Sequence, residues 1–349
     1  MTSKRGTAMT VLGPISRKEL GITLPHGHIV IDGAFLFENP TEAIAKHNAH
    51  QEITLQNRGW IAYHWTSHEC NCLLTDERIA TAELMHFVAS GGRTVVDPTN
   101  RGIGRDHRGL ARIARTTRLN IIMGSGYYVG KTHPADMGRR TQQQLTDEIL
   151  EELEHGVERS GIRPGFIGEI GCSYPLTDNE LKSLRAAVDA QLSSGACLMV
   201  HPGRDPNSPW DIVRVITESG GRMDRTIICH IDRTCTERDW LLRLADTGCY
   251  IEYDLFGNES SYYPPNPKVD MPSDAQRMDL VKWHFEQGHG AKILISHDIA
   301  HKTRLHEYGG LGYDHITSNI VPRLLSRGYD QAQVDRLLID NPADAFCFV

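Results

Sequence analysis

The sequence predicts an α/β protein: a (β/α)8 TIM barrel with a binuclear metal site at the C-terminal ends of its strands. Three observations predict it. Eight short apolar runs rich in Val and Ile recur along the 349 residues, stretches with apolar positions every three to four residues separate them, and metal-ligand side chains stand where several runs end.

In chain order the strands are expected at 21–32 (GITLPHGHIVID), 91–99 (GGRTVVDPT), 120–129 (NIIMGSGYYV), 165–171 (GFIGEIG), 196–203 (ACLMVHPG), 225–232 (RTIICHID), 248–256 (GCYIEYDLF) and 292–299 (KILISHDI). Between them, ERIATAELMHFVASGG, TQQQLTDEILEELEHGVERSG, TDNELKSLRAAVDAQLSSG and RTCTERDWLLRLADTG carry helical periodicity and end at Gly. Strands alternating with helices imply parallel pairing through right-handed crossovers. An open doubly wound sheet would want a glycine-rich phosphate turn, and neither RGIGRDHRG nor GSGYYVG has that spacing. No linker or internal repeat interrupts the pattern, so residues 1–349 are expected to form one domain. Two connections are long, about 33–80 and 257–279, and loops of that length in a compact domain often cover a site.

Composition narrows the function classes. A hydrophobic share of 40% supplies a core, and the formal charge of -7, with both signs interspersed, argues against nucleic acid. No apolar run long enough for a signal core or a membrane span occurs, so a soluble cytoplasmic protein is expected. The eight cysteines are scattered, several inside apolar runs, and are expected as buried free thiols. His68, Cys70 and Cys72 in SHECNC form a weak zinc candidate, because closed sites want four ligands at wider spacing.

The candidate metal ligands are specific. His26 and His28 stand two apart, which puts both imidazoles on one face of a strand. Strand four contributes Glu169, strand five ends at His201, strand six at His230, and strand eight at Asp298. Each alone reads more readily as a structural residue; together they place four imidazoles and two carboxylates at the ends of five strands, which suits two cations if one carboxylate bridges them. His297 should face outward by alternation. Arg101, Arg105, Lys131, Arg204, Arg233, Lys302 and Arg304 follow strand ends and favour a substrate with an anionic group. Arg233 and Lys302, with Tyr128 and Tyr253, are the substrate-binding candidates. Phe35, Phe37, Trp60, Tyr63 and Trp65 suit either a pocket wall or an interface.

TVLGPISRKELGITLPHGHIVID, GEIGCSYPLT, VHPGR, CHIDRT, GCYIEYDLFG, SHDIAHKTRL and YGGLGYDHI resemble the phosphotriesterase-related branch of the amidohydrolase superfamily, from about residue 9 to the end. The resemblance implies a binuclear hydrolase of phosphotriesters, lactones or N-acyl amides. It implies His26, His28 and Asp298 on the more buried metal, His201 and His230 on the more exposed one, and Glu169 as the bridge. The branch usually reads His-Glu-His where this chain has Gly27. A glycine there removes no ligand, because residue 27 faces away by alternation, but it loosens the surroundings.

The expected reaction uses a metal-bridging hydroxide as nucleophile and Asp298 as proton acceptor, which then serves the leaving group. The expected substrate is an N-acyl amino acid or N-acyl taurine. The alternatives are a lactonase or carboxylic ester hydrolase with weak phosphotriesterase side activity and, outside enzymes, a ligand-binding protein on a hydrolase barrel. Two divalent ions are expected, zinc first, with manganese, cobalt or iron also suited to these ligands. The partners expected are a small-molecule substrate, no membrane, and a second copy of the chain in a homodimer.

Overall fold

The central sheet holds eight parallel strands: β1 (Thr23–Leu24), β2 (Thr94–Asp97), β3 (Asn120–Ser125), β4 (Phe166–Gly171), β5 (Leu198–His201), β6 (Thr226–Ile228), β7 (Tyr250–Tyr253) and β8 (Ile293–Ile295). This is a computed structural model and describes residues 5–349. Each strand pairs with its neighbours in sequence from β1 to β8. Side chains close the seam between β1 and β8. Ser296 Oγ accepts the His26 N–H at 3.0 Å and donates to the His26 carbonyl, which also accepts the Asp298 N–H at 3.3 Å. The expected (β/α)8 architecture is therefore the observed one.

The strands are shorter than the apolar runs predict. His26 and His28 lie beyond the paired residues of β1, although Gly27 N–H still donates to the Val96 carbonyl at 3.0 Å and keeps the chain in register. Side-chain alternation divides the core. Val96, Ile122, Phe166, Met199, Ile227, Tyr250 and Leu294 fill the barrel with Phe346 beneath them, while Val95, Ile121, Ile251, Tyr253 and Ile295 face the helices. In β4 the register against β5 shifts between Ile167 and Ile170, a bulge that re-aims Glu169. Gly168 makes this possible: its φ is +135°, and a Cβ there would meet the Met199 carbonyl oxygen at 2.5 Å.

Helices α1 (Glu77–Ala89), α2 (His107–Thr117), α3 (Gln142–His155), α4 (Asp178–Ser194), α5 (Ser208–Glu218), α6 (Arg238–Ala245) and α7 (Asp274–Glu286) surround the barrel. Capping boxes start three of them, Thr141 with Gln144, Thr177 with Glu180 and Ser273 with Gln276, which fixes where the strand-to-helix loops end. The two long connections meet over the barrel mouth. Tyr63 from the first stacks on Tyr262 from the second at 4.5 Å. Among the described residues no helix is long and apolar enough to cross a membrane.

Two cationic candidates belong to the outer wall. Arg105 makes two hydrogen bonds to Glu152 on α3, at 2.7 and 2.8 Å, and Arg101 adds another at 2.7 Å. Burial alone would raise the Glu152 carboxyl, but Arg105, Ser125 and Arg101 outweigh it and bring its pKa down to about 2. Glu152→Gln leaves the buried Arg105 without its counter-charge and is expected to cost about 3 kcal/mol, read by denaturant unfolding. Because the folded pKa is depressed, the charge contributes its stability above the unfolded value near 4.5. That share is lost as pH falls towards 2, so the wild-type advantage over Glu152→Gln should shrink across that window.

All eight cysteines are free, as expected, but only six are buried: Cys70 is exposed and Cys235 partly so. Among the described residues the SHECNC side chains do not gather into a cluster of ligand atoms. His68 spends Nε2 on the Gln51 carbonyl and Nδ1 on the Asn71 N–H, Cys72 Sγ lies 3.5 Å from the Trp65 carbonyl, and Cys70 takes the Lys302 ammonium at 2.8 Å.

Candidate active site

The residues that follow β1, β4, β5, β6 and β8 converge at the barrel mouth. Asp298 Oδ1 lies 3.5 Å from His26 Nε2 and 3.4 Å from His28 Nε2. Glu169 Oε1 lies 2.9 Å from His201 Nδ1 and 2.7 Å from His230 Nε2, and Glu169 Oε2 is 3.8 Å from His26 Nε2. All six sequence candidates for metal binding thus share one centre. Two of them sit in left-handed backbone, His230 at φ +54° and Asp298 at φ +46°. That conformation is costly for residues with a Cβ and concentrates at functional sites.

The donor set fits divalent cations on geometry and charge. Ligand atoms about 2.1 Å from a tetrahedral ion stand about 3.4 Å apart, which matches the spacing of His26, His28 and Asp298. The His26 Nε2 atom is buried with no hydrogen-bond partner. Carboxylates also accumulate here. Glu169, Glu252 and Asp254 are fully buried beside Asp298, and among the described residues none of the four is ion-paired to Lys or Arg. Three buried carboxylates and a fourth at the mouth, with no Lys or Arg against them, concentrate negative charge that divalent cations would balance.

The titration pattern has the same origin. Burial, then neighbouring His230 and Arg233, hold His201 well below the usual histidine range, and burial with Arg233 brings His230 down to about 4. Both are therefore neutral near pH 7, the form that ligates metal. Burial works against the proton on His26, but Glu252, Glu169 and Asp298 outweigh it and hold that proton tightly, as they would hold a cation. Asp298, despite burial, is held well below the carboxylate range by His230, His28 and His26.

The sequence reading missed Glu252 and Asp254. They alternate with Tyr253 along β7 and its end, so both carboxylates face inward. Asp254 accepts the His230 backbone N–H and lies against His230 Nδ1, both at 2.8 Å. Glu252 Oε2 is 3.0 Å from His26 Nδ1. The spacing that singled out His26 and His28 is repeated in YIEYD and would have found them.

A cavity of about 50 Å³ adjoins the cluster, walled by Phe35, Trp65, Tyr128, Leu255 and Tyr263, with His301 stacked on Trp65 at 4.9 Å. Tyr128 and Arg233 line it. The Tyr128 hydroxyl is 3.0 Å from His201 Nδ1, and Arg233 Nη2 is 3.2 Å from His201 Nε2. Two candidates do not line it. Tyr253 points outward and bonds His284 Nε2 on α7 at 2.9 Å, the other phase of the alternation that turns Glu252 inward. Lys302 is drawn away by Cys70 of the first long connection. Lys131 is tied to the Phe35 carbonyl at 2.6 Å. Arg204 and Arg304 do line the cavity. Phe37, Trp60 and Tyr63 lie outside its lining, whereas His297 accepts the Ile316 N–H behind the barrel wall, the structural place expected of it. The space a side chain at Gly27 would need is next to Tyr313, 3.4 Å from a Cβ and away from the donors.

Residues 6–346 match the model of the Phosphotriesterase family. The chain belongs to that family. It is 44% identical over 345 residues to a phosphotriesterase-related protein of Nematostella vectensis, covering 98% of each chain, and 41% identical to the N-acetyltaurine hydrolase of Homo sapiens, covering all of both. Among solved structures, a resiniferatoxin-binding protein from Rhodobacter sphaeroides superposes with a TM-score of 0.94 at 35% identity, covering 98% of this chain and 95% of that one. A lactonase from Listeria monocytogenes, 22% identical, shares the fold with a TM-score of 0.80, covering 98% and 99%. The phosphotriesterase family is one of metal-dependent hydrolases, so the expectation of a hydrolase stands.

Proposed function

We propose that this chain is a binuclear metal-dependent amidohydrolase that cleaves an N-acyl amino acid or N-acyl taurine into a carboxylate and a free amine. The observation that carries the reading is that three arginines, without carboxylate ion pairs among the described residues, line the same cavity as the hydrolytic donor set. Arg204 reaches only the Tyr263 hydroxyl at 3.1 Å, Arg233 reaches the Pro202 carbonyl and His201, and Arg304 reaches the Phe256 and His297 carbonyls. Burial, with Arg277 nearby, brings the Arg304 guanidinium down to about 10, only partly offset by Asp298, Asp274 and Asp232. Such a pocket is completed by an anion, and a sulfonate or carboxylate next to the scissile amide supplies it. The relatives named N-acetyltaurine hydrolase support the same substrate class.

In this reading His26, His28 and Asp298 would hold one cation and His201 and His230 the other, with Glu169 placed to serve both. Zinc is the ion proposed first, since imidazole and carboxylate donors suit it. The bound cations would supply a water ionised near neutral pH and polarise the acyl carbonyl. Asp298 takes the proton of the attacking water and returns it to the amine nitrogen as the C–N bond breaks. Tyr128 steadies the acyl oxygen, Arg233 and Arg204 hold the anionic end, and Phe35, Trp65 and Leu255 exclude water around it. Asp254 keeps His230 oriented through Nδ1. The same reading makes residues 1–349 one catalytic domain, cytoplasmic, acting on a small molecule. Exposed Ile44, Leu55 and Tyr63 in the first long connection support a homodimer contact.

The test is a panel of N-acyl taurines, N-acyl amino acids and lactones, with elemental analysis of the purified protein. About two equivalents of metal and turnover of the anionic amides are expected. Lactone turnover with inert amides would hand the site to the lactonase reading, and a metal-free protein that binds ligand without turnover would make it a binding module.

A further inference from the structure

One buried group has no part in the reaction just described. Glu252 is fully buried in the barrel, and its Oε1 has no hydrogen-bond partner. Its Oε2 is 3.0 Å from His26 Nδ1, whereas Asp254 Oδ2 is 3.5 Å from the same nitrogen. Asp254 is committed to His230, whose N–H and Nδ1 it meets at 2.8 Å each. A neutral imidazole has one N–H to give, and the nearer acceptor takes it, so Glu252 serves His26. Cys229 joins Glu252 and Asp254 in the buried group around His26.

A glutamate in this place is unfavourable unless positive charge offsets it, and among the described residues no Lys or Arg pairs with it. The compensating charge has to act through His26, whose Nε2 faces Asp298 at 3.5 Å with no hydrogen bond of its own. We propose that Glu252 is a positioning residue: it keeps the His26 proton on Nδ1 and the Nε2 lone pair turned to the cation shared with His28 and Asp298, and so sets how tightly that position holds its metal. This rests on the hydrolase reading only in that the position binds a divalent cation.

Carboxylate partners of ligating histidines typically change metal affinity 10- to 100-fold. The experiment loads wild type, Glu252→Gln and Glu252→Leu with zinc, then follows release to a coloured chelator. Wild type should release its two ions in a fast and a slow phase. Glu252→Gln keeps an acceptor but loses the charge, and its slow phase should quicken by about tenfold while the fast phase is unchanged. Glu252→Leu loses both and should quicken the slow phase by about 100-fold or lose that ion outright; if it does not fold, the isosteric Gln variant decides alone. Unchanged release in the Gln variant with a lowered melting temperature would make Glu252 merely structural and overturn the proposal. Wild type that binds no zinc would overturn this and the hydrolase reading together. Zinc release that responds as expected in a protein inert on every amide and lactone would support Glu252's role and sink only the hydrolase reading.

Discussion

Asp298→Asn is expected to lower kcat for amide hydrolysis by about 10³-fold, within the range that a positioned acid or base contributes. The substitution keeps the shape and one oxygen donor but removes the charge and the capacity to take a proton. The site depends on both. Asp298 Oδ1 stands 3.4 and 3.5 Å from the two imidazoles of the buried metal position, and Oδ2 is 3.6 Å from His230 Nδ1. Its side chain is 18% exposed where Glu169 is 1%, so Asp298 is the carboxylate of the cluster that meets solvent. The assay is kcat at saturating substrate, with metal content measured on the same sample. Full recovery of kcat on adding zinc would reduce Asp298 to a ligand and remove it as the proton carrier. A deficit that persists with both metal positions filled is the expected result.

The gathering of this site was legible because it follows from topology. A parallel barrel brings strand ends together whatever their separation in sequence, so His26 and Asp298, 272 positions apart, needed only to be recognised as strand ends. Strand phase was harder. Both faces of β7 are buried, so its apolar pattern is continuous and does not say which residues face inward. Tyr253 looked like a substrate group for that reason, although the flanking Glu252 and Asp254 mark the inner face. Loop cations were harder still. Whether Arg105 or Arg204 faces the substrate depends on Glu152, a helix residue 47 positions from Arg105, and sequence spacing carries no trace of that pairing. Lys302 was captured by Cys70, 232 positions away, for the same reason.

Those pairings leave a sharp expectation about recognition. Arg105 and Arg101 are paired with Glu152 and Glu148, and Lys302 is turned away, so the anionic end of the substrate falls to Arg204, Arg233 and Arg304. Arg304 supports backbone carbonyls, and Arg233 touches His201, a proposed metal ligand, so replacing either would disturb the candidate site or the loop. Arg204 is the separable one. Its guanidinium bonds the Tyr263 hydroxyl and lies over that ring at 5.7 Å, while its backbone carbonyl accepts from Asn266 regardless of side chain. Arg204→Leu should therefore leave metal content and fold intact. A charge-assisted contact in such a pocket contributes about 1.5–3 kcal/mol, and losing it should lower kcat/KM for an N-acyl taurine by roughly 10- to 100-fold. For an uncharged N-acyl amide of the same size, the variant should match wild type within about threefold, since no anion was bound there. Equal losses on charged and uncharged amides would show that Arg204 shapes the pocket rather than reading the substrate's charge. Because the two substrates share the scissile bond and differ only at the far end, their ratio isolates recognition from chemistry.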